Sequence, residues 1–163
     1  MKILYFGGQK SGKSLLAEQK VQTLSSTIYY IATYDNSYND TAMQDKITKH
    51  RQRRDDKYIT IEAPIDILSC IKPQNTYIIE CMSMWVFNML IHNRQDEIEY
   101  TISQLARIDA NIVFVINDVS SGIIPLDSQT RQYVDINGTI SQYIASICDD
   151  VYMVACGIAT KIK

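Results

Sequence analysis

The chain has 163 residues, 46% hydrophobic and 21% charged, which is enough apolar material for one core and one expected domain spanning 1–163. Sixteen Lys and Arg against 18 Asp and Glu leave a net charge of -2, which excludes a general basic field that would gather nucleic acid or an anionic membrane surface. The apolar run at the N-terminus is too short and too soon broken by glycine for a signal peptide, and no later run reaches spanning length, so a cytoplasmic protein without a membrane span is expected.

In chain order, short β-branched or aromatic runs occur at 2–6 (KILYF), 27–32 (TIYYIA), 57–61 (KYITI), 76–80 (TYIIE), 111–116 (NIVFVI) and 151–155 (VYMVA). Most of them read as strands buried on both faces. Between them the spacing is helical, with Leu15, Leu16, Val21 and Leu24 in the first interval and Tyr133, Ile136, Ile140, Ile144 and Ile147 in the last. Alternation of strand and helix predicts an α/β fold, a mainly parallel sheet with helices on both faces, and the tail GIATKIK adds one more short strand. The longest irregular stretch, TYDNSYND at 33–40, follows a strand, where open α/β sheets bind ligands. Cys70, Cys81, Cys148 and Cys156 show neither a C-x-x-C pair nor zinc spacing and read as small buried thiols. Trp85 lies in a helical apolar run and reads as core or subunit interface, and His92 as a surface or helix-end residue away from any charged constellation.

The segment GGQKSGKS at 7–14 satisfies G-x-x-x-x-G-K-[ST]. Glycines let backbone N–H groups turn inward around phosphate oxygens, and the following helix presents its positive end. Lys13 reaches the β and γ phosphates, and the Ser14 hydroxyl binds Mg2+. A strand ending at Phe6 and a helix beginning near Lys13 supply the context that this P-loop requires. The metal needs a second partner at another strand end, for which Glu80 and Asp118 are the two candidates.

Between Lys46 and Lys57 the chain collects Lys46, Lys49, His50, Arg51, Arg53, Arg54 and Lys57. In a helix, Met43, Ile47, His50 and Arg54 share one face, which turns His50 inward. Such a histidine is either a packed, hydrogen-bonded core residue or a group facing an anion. Burying it beside several cations is costly without an anionic partner. Were the anion a nucleoside triphosphate, the arginines would grip its oxygens, and a neutral imidazole would be the form able to attack phosphorus.

These residues resemble the bifunctional adenosylcobinamide kinase and adenosylcobinamide-phosphate guanylyltransferase family of cobalamin biosynthesis. The resemblance runs in order through GGQKSGKS, YIAT (30–33), MQDKITKHRQRR (43–54), TIEAP (60–64), IIECMSMWVFNML (78–90), INDVSSGIIP (116–125), RQYVDINGTISQYIA (131–145) and DDVYMVACGIATKIK (149–163). It implies that His50 is the histidine guanylylated by GTP. It also implies that Gly7, Gly8, Gln9, Lys10, Ser11, Gly12, Lys13, Ser14, Ala32, Thr33, Arg51, Gln52, Arg53, Arg54, Glu62 and Glu80 line the nucleotide site. With Glu80 so placed, Ser14 and Glu80 are the expected Mg2+ ligands, and His50 and Lys13 the expected catalytic residues. The substrates implied are GTP and ATP with adenosylcobinamide and adenosylcobinamide phosphate, and the implied assembly is a homo-oligomer, often a trimer.

The chain departs from the family's usual residues at three positions, with Asp118 in place of Glu, Ser120 in place of Gly and Ser141 in place of Asn. They bear on loop geometry and corrinoid contacts rather than on the class of reaction. Two other readings stand beside this one. A plain small-molecule kinase, with His50 structural, would transfer a γ phosphate without a covalent nucleotide. A nucleotide-dependent switch would bind nucleotide and act through a protein partner.

Overall fold

The computed structural model describes residues 1–38, 48, 56–119, 121 and 124–163. Of the predicted helix at 43–54 only Thr48 is described, helical and exposed, so His50 and Arg51, Gln52, Arg53 and Arg54 lie outside the described residues.

Seven strands form one sheet: β1 (Lys2–Gly7), β2 (Ile28–Ala32), β3 (Tyr58–Glu62), β4 (Thr76–Glu80), β5 (Asn111–Asn117), β6 (Asp150–Ala155) and β7 (Ile158–Lys161). Their spatial order is β3-β2-β4-β5-β1-β6-β7. All pairings are parallel except that of β6 with β7, a hairpin turned by Cys156 and Gly157, both at positive φ. The expected strands are therefore present with small shifts at their ends, and the tail does add a strand.

Alternate side chains of the central strands feed two cores, as the pleat requires. Ile3, Tyr5, Ile28, Tyr30, Ile78, Val113, Val115 and Val154 meet Ala17 and Val21 of α1 (Lys13–Gln22). On the other face Leu4, Ile31, Ile79, Ile112, Phe114 and Ile116 meet three helices, α2 (Met82–Ile91), α3 (Ile98–Arg107) and α4 (Ser128–Ile147). Helix α3 buries Ile98, Thr101, Ile102 and Leu105, one stripe at helical spacing. Helix α4 starts at an Asp127 cap whose carboxylate accepts from the Thr130 N–H at 2.7 Å. No described helix is long and apolar enough to cross a membrane.

Several single-residue expectations change. Leu15 is 45% exposed, because α1 turns Lys13, Ala17 and Val21 inward at four-residue steps and Leu15 lies some 200° around the helix from Lys13. Of the four cysteines only Cys148 is buried. Cys156 is exposed at the hairpin turn, and Cys70 and Cys81 are intermediate, since strand ends and turns reach solvent whatever the side chain. Trp85 is fully buried, its indole N–H donating to the Ile65 carbonyl at 2.7 Å, which makes it a core residue. His92 does end a helix, but it has an acidic neighbour after all, Asp35 Oδ2 at 4.0 Å.

Candidate active site at the carboxyl ends of the parallel strands

The loop from Gly7 to Gly12 joins the central strand to α1 and is fixed from both sides. The Asp118 N–H donates to the Gly7 carbonyl at 2.9 Å, and the Gly157 N–H donates to the Ser11 carbonyl at 2.8 Å. A Cβ on Gly7 would run into the Val154 carbonyl oxygen, so only glycine fits between β1 and β6 there. Gly12 has φ +99°, a left-handed conformation that favours glycine, and lies against Gly157. Gly8, Gln9 and Lys10 are exposed on the crest, and Ser11 and Gly12 are partly covered. Helix α1 carries no side-chain cap, so no side chain caps its first N–H groups.

Lys13 is 6% exposed and its ammonium donates to the Gly8 carbonyl at 3.4 Å. Burial pushes its pKa down, opposed by the nearby Glu80 and Cys81. A buried ammonium held by one long bond to a neutral carbonyl is a cation poised for an anion. The Ser11 hydroxyl, in the same loop, is a buried group without a hydrogen-bond partner among the described residues.

Ser14, in the first turn of α1, donates to Glu80 Oε1 at 2.6 Å. Of the two candidate carboxylates, Glu80 is thus the one that reaches the loop's hydroxyl. Asp118 instead accepts from the backbone N–H and hydroxyl of Ser121 at 3.2 and 2.6 Å. A hydroxyl and a carboxylate oxygen side by side are hard ligands of the kind that suit Mg2+ together with phosphate oxygens, so the residues fit that ion. No group of three or more His, Cys, Asp or Glu that would hold a metal by itself occurs among the described residues.

Parallel register places the other predicted residues. Ala32 pairs with Glu62 on one side and with Glu80 on the other. In-register neighbours project to the same face, so two carboxylates flank a short alanine at the sheet's edge. Glu62 is exposed and accepts from the Asn36 amide at 3.2 Å. Thr33, fully buried, ties the row together. Its N–H donates to the Glu80 carbonyl at 3.1 Å, and its hydroxyl both donates to the Cys81 carbonyl and accepts from the Cys81 N–H, each at 2.8 Å. The Glu80–Cys81 peptide is cis. Cys81 as a residue is half-buried, but its thiol is enclosed; burial, with Glu80 alongside, pushes it up to about 11, so it stays protonated at neutral pH.

Four further residues of this region lie within the runs that carry the resemblance but were not singled out from the sequence. Ser83 bridges the strand end of β5, donating to the Asn117 carbonyl at 3.2 Å and accepting from its N–H at 2.8 Å. Asn137, 1% exposed, donates to the same carbonyl at 3.1 Å. Asn88, fully buried in α2, donates to the Thr33 and Pro64 carbonyls. Gly157 braces the loop. The available signal for Asn88 was a lone amide in the apolar run MSMWVFNMLI; the other three depend on contacts distant in sequence.

Sequence comparison agrees with this geometry. The family described as cobinamide kinase / cobinamide phosphate guanyltransferase matches residues 3–162. The chain is 33% identical over 184 residues to the bifunctional adenosylcobalamin biosynthesis protein CobU of Escherichia coli, covering all of both chains. It is 31% identical over 184 residues to CobU of Salmonella typhimurium, again over the whole of both, and 29% identical over 171 residues to CobP of Pseudomonas aeruginosa, covering 100% of this chain and 98% of that one. With one family matched over nearly the whole chain, and the glycine loop, the Ser14–Glu80 contact and the parallel sheet in place, the protein belongs to the cobinamide kinase / cobinamide phosphate guanyltransferase family.

Proposed function

We propose that this protein phosphorylates adenosylcobinamide with ATP or GTP and then transfers GMP from GTP, through His50, to adenosylcobinamide phosphate. The observation that carries the reading is the Ser14–Glu80 contact of 2.6 Å beside the buried Lys13, on a glycine loop that follows the central strand. That arrangement supports a triphosphate in the loop, Lys13 on its β and γ oxygens, and Ser14 and Glu80 as the residues that hold Mg2+. When bound, the ion neutralises charge on the phosphate oxygens.

In the kinase step the alcohol oxygen of adenosylcobinamide bonds to the γ phosphorus. The bond to the β–γ bridging oxygen breaks, the diphosphate leaves with that electron pair, and the alcohol proton passes to solvent. Positioning and charge neutralisation by Lys13 carry most of the catalysis. In the transferase step a ring nitrogen of His50 bonds to the α phosphorus of GTP and pyrophosphate departs, held by the same loop. A phosphate oxygen of adenosylcobinamide phosphate then takes the GMP, and the N–P bond breaks to return the histidine. Arg51, Gln52, Arg53 and Arg54 accompany His50 in this reading, and the assembly is a homo-oligomer, a trimer by family resemblance.

The row Glu62–Ala32–Glu80 gives the site a means to choose its base. Guanine presents two adjacent donors, N1–H and the 2-amino group, which a carboxylate accepts together, whereas adenine presents a donor beside an acceptor. Ala32 leaves room between the carboxylates, and Gly8 to Lys10 and Ser11 line the approach to the phosphates.

Intact mass after incubation with GTP and Mg2+ tests the covalent step. The wild-type chain gains an acid-labile GMP and His50→Ala gains none. A wild-type chain that binds GTP and forms no adduct refutes it.

A further inference from the structure

Helix α2 follows β4 directly, and its inward face carries Met82, Trp85, Val86 and Met89 together with one amide, Asn88. An unpaired amide at zero exposure in that face costs stability, so its partners show why it is tolerated. Its Nδ2 donates to the Thr33 carbonyl at 2.7 Å and to the Pro64 carbonyl at 2.9 Å. Two carbonyl acceptors fix the amide's orientation and demand asparagine rather than aspartate.

Both acceptors lie just beyond strand ends that frame the nucleotide site. Thr33 follows β2 and is clasped onto Cys81 at the end of β4. Pro64 lies two residues after Glu62, the last residue of β3, and the Ala63 N–H donates to the Ala32 carbonyl at 2.9 Å. Asn88 therefore closes a ring from β4 through α2 back onto β2 and β3. Within that ring sit Glu62, Ala32 and Glu80 in one register row. Among the described residues the edge strand β3 pairs only with β2 in the sheet, so the Pro64 bond is a further restraint on where Glu62 stands.

We propose that Asn88 is a positioning residue that sets the spacing of Glu62 from Glu80 and thereby the preference of the site for guanine over adenine nucleotides. The proposal rests on the reading that this row reads the base. Asn88 touches no nucleotide; it acts through Thr33 and Pro64. Ser14 at the end of the phosphate loop meets Glu80 at 2.6 Å, but the grip on the triphosphate is common to both bases, so any effect on it cancels in the GTP:ATP ratio.

The test measures equilibrium binding of GTP and ATP to the full chain, for wild type, Asn88→Ser, Asn88→Asp, Glu62→Gln and the control Met89→Ala. Met89 is equally buried in α2 and has no bond to a strand end. Asn88→Ser is expected to weaken GTP about tenfold while ATP changes less than about threefold. Met89→Ala is expected to lower thermal stability with the GTP:ATP ratio unchanged. Ionised Asn88→Asp opposes two carbonyls; protonated, it regains one donor, so its ratio recovers as pH falls. That recovery is a response that a purely structural role does not produce. An unchanged ratio in both Asn88 variants, an equal change in Met89→Ala, or failure of both Asn88 variants to fold overturns the proposal. If Glu62→Gln also leaves the ratio unchanged, the base-reading role itself fails; if it collapses the ratio while Asn88→Ser does not, only the role of Asn88 fails.

Discussion

Replacing Thr33 by valine keeps shape and removes one hydroxyl. That hydroxyl serves two main-chain groups of Cys81, donating to the carbonyl and accepting from the N–H, each at 2.8 Å, from a side chain with no exposure. A buried main-chain group stripped of its partner costs about 1–3 kcal/mol. The Cys81 carbonyl keeps its bonds from the Met84 and Trp85 N–H groups, each at 3.1 Å, so only the Cys81 N–H is stripped, and with Cys81 half-buried the loss is about 1–2 kcal/mol. In this size range each kcal/mol lowers Tm by about 2–4 °C, so Thr33→Val falls by about 2–8 °C. Urea unfolding is the assay, with the slope unchanged and the midpoint lowered. Thr33→Ser keeps the hydroxyl, loses one methyl group and costs about 1 kcal/mol. Since the same hydroxyl holds the segment that presents Glu80, nucleotide binding weakens in the valine variant more than in the serine one. A loss below about 0.5 kcal/mol, or a serine variant whose nucleotide binding falls as far as the valine one's, refutes the argument.

Three further outcomes follow from the same structure. Gly7→Ala drives a Cβ into the Val154 carbonyl, so β1 and β6 must part; about 1–3 kcal/mol of stability is lost in thermal melts, and calorimetry shows nucleotide affinity falling at least about tenfold. Asn137→Leu gives up one bond to the Asn117 carbonyl, which keeps its bond from Ser83, and removes a buried oxygen without a partner, so stability stays within about 1 kcal/mol; Asn137→Asp buries a carboxylate against that carbonyl and loses about 3 kcal/mol or more, and a reversed order in urea refutes this assignment. Burial pushes the thiols of Cys81 and Cys148 up to about 11 and about 12, while an unfolded thiol titrates near 8.5, so the native state binds more protons in between. Stability therefore declines as pH rises from about 9 toward 11 under reducing conditions, and Cys148→Ala flattens that decline in urea midpoints taken at pH 8 and pH 10.

The parallel sheet and the glycine loop that follows its central strand were legible in the sequence because both are written in local chemistry. A strand buried on both faces needs an unbroken apolar run, and runs such as NIVFVI exclude other readings. Gly7, Gly12, Lys13 and Ser14 belong to a pattern that ties residue type to spacing within eight positions, and the tight turn accounts for the two glycines, Gly7 against the Val154 carbonyl and Gly12 at positive φ. The resemblance added Glu62 and Thr33, which no local rule singles out.

Contacts across the sheet were decided by the tertiary structure alone. Strand position left Glu80 and Asp118 equal and the resemblance chose Glu80; although α1 lies against β4 and β5 alike, the structure brings Ser14 to Glu80 and has Asp118, just beyond β5, accept from Ser121. The inward face of α1 was misread in part, because a hydrophobic pattern does not report that Lys13 is buried while Leu15 is not, and the α4 stripe, which does face the core, gave no sign of the buried Asn137 beside it. Asn88 shows the same reason most sharply. Its neighbours in the chain are apolar, and the two carbonyls that satisfy it come from 55 and 24 residues away, so its role exists only once β2, β3 and β4 lie side by side.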